Sequence, residues 1–252
     1  MKITGNTILI TGAGSGIGRA LAQEFHSLGN KLIITGRRKH KLDEVLAANP
    51  GMIAYELDVQ DRVAVSDFAR MITAHHPTLN VVINNAGIML QEDLSEGESA
   101  LDQLDAMVQT NFLGPVRLNA ALIQHLLTQI EATIINVGSG LAHVPLTLVP
   151  NYCATKAAIH SYTQSLRHQL RNSPIEVVEI IPPAVHTGLL GLDQPAPHEM
   201  PLPVFIAEVM ALFHQQPTPQ EICVENVGPL RHAESGDYGA VFAQVNQGIV
   251  LD

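Results

Sequence analysis

Six short runs of β-branched and aliphatic residues recur along the chain, each followed by a longer stretch with helical spacing of its apolar residues. The runs are TILIT (Thr7 to Thr11), KLIITG, IAYELDV, NVVINNAG, ATIINVGS and IEVVEIIPP. They are mostly apolar and lack the sustained in-out alternation of a half-exposed strand, so they expect cover on both faces. The intervening stretches supply that cover. After the first run, Ile17, Leu21, Phe25 and Leu28 fall on one helical face. Leu42, Val45 and Leu46 do the same after the second, and Val63 to Ile72 follows the third. A long helix is expected from about Leu101 to Gln129, and another from Tyr152 to Arg171. EICVE (Glu221 to Glu225) is expected to add a last strand. This alternation implies one doubly wound α/β domain over residues 1–252, with a parallel sheet of about seven strands and helices on both faces. Apolar residues make up 46 % of the chain and charged residues 15 %, enough for such a doubly covered core.

Several function classes are set aside by composition. The formal net charge is −10 and no basic stripe is present, which argues against a nucleic-acid partner. No apolar run approaches the roughly 18 residues of a membrane helix, so no membrane association is expected. Two cysteines, Cys153 and Cys223, are too few for a disulfide framework and point to a reducing, cytoplasmic setting. The histidines form no metal-ligand spacing, and no metal is expected; they read as surface residues. The acidic stretch EDLSEGESALDQLD reads as a solvated loop and helix start.

Three local patterns carry chemistry. TGAGSGIG (Thr11 to Gly18) stands between the first strand and the first helix, where glycines let the backbone approach a phosphate and the helix N-terminus offers free N–H groups. Its spacing is T-G-x-x-x-G-x-G, not the G-x-G-x-x-G fingerprint. At the end of the second strand, where a ribose would sit, Gly36 is followed by Arg37, Arg38 and Lys39, with no acid until Asp43. Arginine suits the 2′-phosphate of NADP(H), whereas an acid would suit the 2′-hydroxyl of NAD(H). NADP(H) is therefore preferred, with NAD(H) left open. Finally, NYCATKAA places Tyr152 one helical turn before Lys156, so the two side chains share a face.

Taken together, Thr11-Gly12 with Gly16 and Gly18, Asn84-Asn85-Ala86-Gly87, Asn111, Ser139 and Tyr152-x-x-x-Lys156 resemble the short-chain dehydrogenase/reductase family, over roughly residues 5–190. The glycine spacing resembles its branch of about 250 residues. YCATKAAIHSYTQSLRHQLR and the later EICV are similar to a bacterial subgroup associated with teichoic-acid D-alanylation genes. The resemblance implies a Rossmann-like fold and an oxidoreductase moving a hydride between NADP(H) and a carbonyl or alcohol. It implies Tyr152 as general acid in reduction and base in oxidation, Ser139 on the substrate oxygen, and Lys156 on the nicotinamide ribose and beside the phenol. Asn111 would hold a water for proton relay. Shifting a phenol from near 10 to neutrality asks for about 3–4 kcal/mol, and a neighbouring ammonium joined by the cationic nicotinamide of the oxidised cofactor is the right kind of perturbation. The cofactor would touch Gly12, Ser15, Gly16, Ile17 and Gly18, then Arg37 and Arg38, Asp58 and Val59 at the adenine, and Asn85, Ala86 and Gly87 on the ribose side. Tyr152 and Lys156 would complete the contacts with Val185 and Thr187.

One departure from the family pattern stands after the sixth strand, where Pro183 replaces a glycine and His186 an acid. Beyond it, residues 188–203 (GLLGLDQPAPHEMPLP) are proline-rich and are expected to close over an apolar substrate through Leu189, Leu190, Leu192 and Met200. The resemblance further implies a homodimer or homotetramer. Two other readings stay open at this point: an NAD-dependent alcohol dehydrogenase of the same family, and a nucleotide-sensing or scaffold protein without catalysis.

Overall fold

The computed structural model describes residues 1–191 and 199–249. Seven strands, β1 (Thr7–Thr11), β2 (Lys31–Gly36), β3 (Ile53–Glu56), β4 (Leu79–Asn84), β5 (Ala132–Val137), β6 (Ile175–Ile181) and β7 (Glu221–Cys223), form one sheet. Their order is β3-β2-β1-β4-β5-β6-β7 and every pairing is parallel. The order reverses between β1 and β4, which opens a crevice at the carboxyl ends of the strands.

Helices cover both faces, as the continuous apolar runs require. Ile8 and Ile10 of β1 face one core with Leu21 and Phe25 of α1 (Gly16–Ser27) and Phe205 and Val209 of α7 (Leu202–Phe213). Leu9 faces the other, with Phe68 of α3 (Arg62–His75) and Leu118 and Leu122 of α5 (Gly114–Leu126). The remaining long helix, α6 (Pro150–Leu170), also lies on this second face, with Leu166 in the core. Burying each of these aliphatic side chains contributes about 1.5–3 kcal/mol before entropy is counted. Among the described residues no helix is long and apolar enough to cross a membrane.

Two sequence expectations are modified. The third strand stops at Glu56, where β3 forms the sheet edge. Leu57 still donates to the Gly36 carbonyl, and then Asp58 Oδ1 accepts from Gln60 N at 3.0 Å and turns the chain. The expected helix from Leu101 to Gln129 ends at Leu126 and is divided: α4 (Leu101–Met107), a π-helical stretch (Val108–Leu113) and α5. Pro115 lacks the N–H that would have bonded the Asn111 carbonyl, and Gly114 N instead reaches back five residues to Gln109 O.

Candidate active site

The loop from Thr11 to Gly18 is fixed by the fourth strand. Thr11 Oγ1 accepts from the backbone N–H of Asn85 and of Ala86, both at 3.1 Å. Asn85 Nδ2 donates to the carbonyls of Thr11 (2.9 Å) and Gly12 (3.2 Å). A Cβ on Gly12, whose φ is +68°, would come within 2.7 Å of Ala86 Cα; one on Gly18 would come within 2.3 Å of Asn85 Nδ2. Neither position can carry a side chain, so the backbone lies bare at the N-terminus of α1. That is the cradle a pyrophosphate needs, and the residues fit a dinucleotide. Asn85 thus holds the loop with its side chain. Asn84, one residue earlier, turns into the core and donates to Asn119 Oδ1 and Asn136 Oδ1, both at 2.8 Å.

At the end of β2, Arg37 and Arg38 are exposed, and Arg38 Nη2 reaches Ser15 Oγ at 3.3 Å. The basic run and the glycine loop therefore border one site. Lys39, by contrast, is paired with Asp43 at 2.8 Å. At the end of β3, Asp58 and Val59 sit beside the helix carrying Asn111. Gln60 Nε2 donates to Thr110 Oγ1 at 2.8 Å, and Gly114 approaches Val59 so closely that a Cβ would stand 3.0 Å from its methyl.

Asn111 is buried and its amide is fully used. Its Oδ1 accepts from Ile88 N at 2.9 Å, and its Nδ2 donates to Ile88 O (2.9 Å) and Thr155 Oγ1 (3.1 Å). The side chain therefore ties the chain leaving β4 to α6. Gly87 passes so close that a Cβ there would meet Asn111 Oδ1 at 3.4 Å and Lys156 Nζ at 3.9 Å.

Tyr152 and Lys156 are both buried on α6, with Lys156 Nζ 5.5 Å from the phenol ring centroid. The ammonium donates to Val137 O at the end of β5 at 2.8 Å. Ser139, two residues further on, is also buried, and its Oγ accepts from Leu141 N at 3.1 Å. Burial pushes the Tyr152 phenol well above its ordinary range, while a hydrogen bond with Ser139 acts the other way. Burial also lowers Lys156 to about 8, with the Glu179 carboxylate opposing it. The lowering expected from the sequence draws on Lys156 and the oxidised coenzyme together; burial by the chain itself acts in the opposite direction. A phenol that holds its proton is in the state required to donate it.

The neighbouring loop after β6 is shaped by an unexpected bridge. Val185 pairs in parallel with Met200, with Met200 N bonding Ala184 O at 2.8 Å and His186 N bonding Met200 O at 3.0 Å. His186 Nδ1 lies 3.1 Å from Glu199 Oε2. Thr187 packs against the Gly16 backbone, where a Cβ would meet its own at 3.3 Å. Of the residues expected to form the substrate cover, Leu190 packs toward Tyr152 with Ile88, Met89, Leu141, Leu146 and Leu148. Leu189 is exposed, and Met200 belongs instead to the core below α7. Leu192 lies outside the described residues.

Three groups escaped the sequence reading. Glu92, assigned to a solvated loop, is buried: its carboxylate accepts from Asn151 N at 3.1 Å and from the Asn151 side chain. Val149, the N-cap of α6, offers no side-chain bond. Glu92 thus caps the helix of Tyr152 from 59 residues away. His143 and His160 are not surface groups; their rings meet edge to face with centroids 4.6 Å apart. Cys153 is buried with its thiol pushed up by that burial, as expected for a packing residue.

A nucleotide cradle at the switch point of a doubly wound sheet, beside a buried Tyr-Lys-Ser-Asn group, defines a dinucleotide-dependent oxidoreductase. The family model for short chain dehydrogenase matches residues 6–196, and the chain belongs to that family. An uncharacterized oxidoreductase, DltE, of Bacillus subtilis (strain 168) is 40 % identical over 248 residues, covering 98 % of each chain. A short chain dehydrogenase from Burkholderia cenocepacia J2315 in complex with NADP shares the fold, with a TM-score of 0.82 at 23 % identity over 97 % of this chain and 99 % of that one. A closed form of serine dehydrogenase complexed with NADP+ matches with a TM-score of 0.68 at 29 % identity, over 72 % of this chain and 74 % of that one.

Proposed function

We propose that this oxidoreductase transfers a hydride between NADP(H) and a carbonyl/alcohol pair, with Tyr152 as the general acid in reduction and the base in oxidation. The observation that carries the reading is the burial of Tyr152, Lys156, Ser139 and Asn111 around one end of β5 and α6, beside the glycine cradle. Bound NADP(H) would supply the hydride. Gly12, Ser15, Gly16, Ile17 and Gly18 would hold its pyrophosphate, and Asp58 and Val59 its adenine. Asn85, Ala86 and Gly87 would line its ribose side, and Val185 and Thr187 its carboxamide. Tyr152 passes the proton, Ser139 steadies the substrate oxygen, and Lys156 keeps positive charge near the phenol and binds the ribose. The half-buried Ile88, Met89, Leu141, Leu146, Leu148 and Leu190 favour an apolar substrate. Assembly as a homodimer or homotetramer in the cytoplasm completes the reading.

Preference for NADP(H) over NAD(H) rests on exposed Arg37 and Arg38, the latter already reaching Ser15. Arginine binds a phosphate dianion bidentately, and a charge-assisted contact of this kind is about twice as strong as a neutral one. NADP+ in the related serine dehydrogenase supports the same choice. The test is a fluorescence titration of NADPH and NADH on the wild type and on Arg37→Asp. NADPH should bind at least tenfold tighter than NADH, and the mutant should lose that difference. Equal binding of the two coenzymes to the wild type would favour an NAD-dependent dehydrogenase, and binding of neither would favour a scaffold.

A further inference from the structure

A second polar cluster lies behind α6, away from the cleft. Its centre is Glu179 of β6, fully buried on the face that packs against α6. Glu179 Oε2 accepts from His160 Nδ1 at 2.8 Å, and among the described residues Oε1 has no hydrogen-bond partner. Oε1 occupies a hollow left by Gly138, where a Cβ would stand 2.3 Å away. The residue before Gly138 is Val137, whose carbonyl holds the Lys156 ammonium. His160 follows Lys156 by one turn of α6, so both side chains descend on the same ground. An unpartnered buried oxygen carries a desolvation cost that no hydrogen bond offsets. Such a group is retained for something other than stability.

A metal site is the first alternative, because His160, Glu179 and Glu221 bring ligand atoms within 4.8 Å of one another. Both oxygens of Glu221 are already bonded to the Arg231 guanidinium, at 2.7 and 3.0 Å. A fixed cation inside the ligand shell opposes a second one, which leaves two ligands. The geometry does not make a metal centre.

We infer that Glu179 is a positioning residue for the proposed reaction: it is the buried counter-charge that keeps Lys156 an ammonium, placed behind the catalytic helix where it cannot compete for the phenol or the coenzyme. This rests on the catalytic reading of Tyr152 and Lys156. A carboxylate pointing into the cleft would pair with Lys156 directly and withdraw it from Tyr152. From behind, it acts through space on a lysine that hydrogen-bonds a backbone carbonyl. The direction agrees with the electrostatics, since burial lowers Lys156 to about 8 and Glu179 works against that fall. Other charges face Glu179 too. His160 approaches from α6, Glu221 and Cys223 from β7, Arg231 from α8 (Gly228–Arg231), and His143 stacks on His160. Arg231 and Glu221 pair with each other, and Glu179 is the carboxylate that acts on Lys156.

The test reads Lys156 itself in the coenzyme-free protein. The chain's other lysines are Lys2, Lys31, Lys39 and Lys41, so 13Cε-lysine NMR gives a spectrum with few signals, and Lys156→Met assigns the one of interest. In the wild type this signal should titrate near pH 8. Glu179→Gln should move its midpoint down by at least half a pH unit, and Glu179→Asp, which keeps the charge, should return most of the shift. Glu179→Leu serves as a second charge-removing variant should the amide not fold. An unchanged midpoint in the folded Gln or Leu variant overturns the inference. An equal downward shift in Glu179→Asp does so as well, because packing and not charge would then be the cause. None of these outcomes depends on coenzyme binding or turnover, so failure here is separable from failure of the catalytic reading.

Discussion

Around the glycine loop, bare backbone is pressed against its neighbours: Gly12 against the Ala86 backbone, Gly18 against the Asn85 amide and the Gly12 carbonyl, Gly16 against the Thr187 side chain. Around Tyr152 the contacts are made by side chains that cross from one element to another: Asn111 to Ile88, Lys156 to Val137, Glu92 to Asn151. The first arrangement admits little substitution, above all at Gly12 and Gly18, where an added Cβ would meet backbone atoms at 2.7 and 2.8 Å. The second can be rebuilt by changing side chains. The difference matches the two tasks, since a coenzyme's pyrophosphate is constant whereas substrates vary.

Three substitutions would break or sharpen this contrast. Tyr152→Phe removes one oxygen from the side-chain half and nothing from the backbone half. Turnover of a carbonyl substrate found by NADPH-linked screening should fall by about 10²–10⁴-fold, the usual worth of a positioned proton donor, while the NADPH dissociation constant stays within about twofold. Retained turnover would dismiss the phenol as donor. Gly12→Ala should do the reverse. It forces a side chain into left-handed backbone, at roughly 1–2 kcal/mol, and against Ala86 Cα. NADPH should bind at least tenfold more weakly, and an unaltered titration would show that the loop relaxes more freely than its contacts imply. The smallest effect belongs to Glu92→Gln, which replaces a charged cap by a neutral one. Urea denaturation should show a loss of about 1–2 kcal/mol with the m-value unchanged. No loss would mean that water caps α6 equally well.

How much of this was legible in the sequence depended on the range of the interactions. Six apolar runs and their helices were readable because strand burial and helical periodicity are local patterns. Tyr152 and Lys156 were readable as a pair because one helical turn separates them. The π-helical stretch at Asn111 had a local sign, Pro115 four residues on, but the sign shows only that one helical bond is missing. The partners of the Asn111 side chain there, Ile88 and Thr155, come from elsewhere in the chain. Glu92 looks like an ordinary surface acid in sequence, and Glu179 like an interruption of an apolar strand. Their burial is intelligible only once Asn151 and His160 are seen beside them. For the same reason His143 and His160 read as solvated. Glu179 sits in a run, VVEII, whose other members are core, and an acid in the middle of a fully covered strand was the available signal.

The exposed arginines at the end of β2 also bear on how fast a ligand arrives. A dinucleotide phosphate approaching this molecule meets a body of net charge −10 and, at one spot, Arg37 and Arg38. In dilute buffer the field reaches about 30 Å and the whole body repels; at physiological ionic strength it reaches about 8 Å, little further than the doorway itself. Added salt thus silences the distant acidic surface before it silences the two guanidinium groups. For capture of a polyanion, an acidic protein with a local basic threshold is better suited to the ionic strength of a cell than to that of a dilute assay.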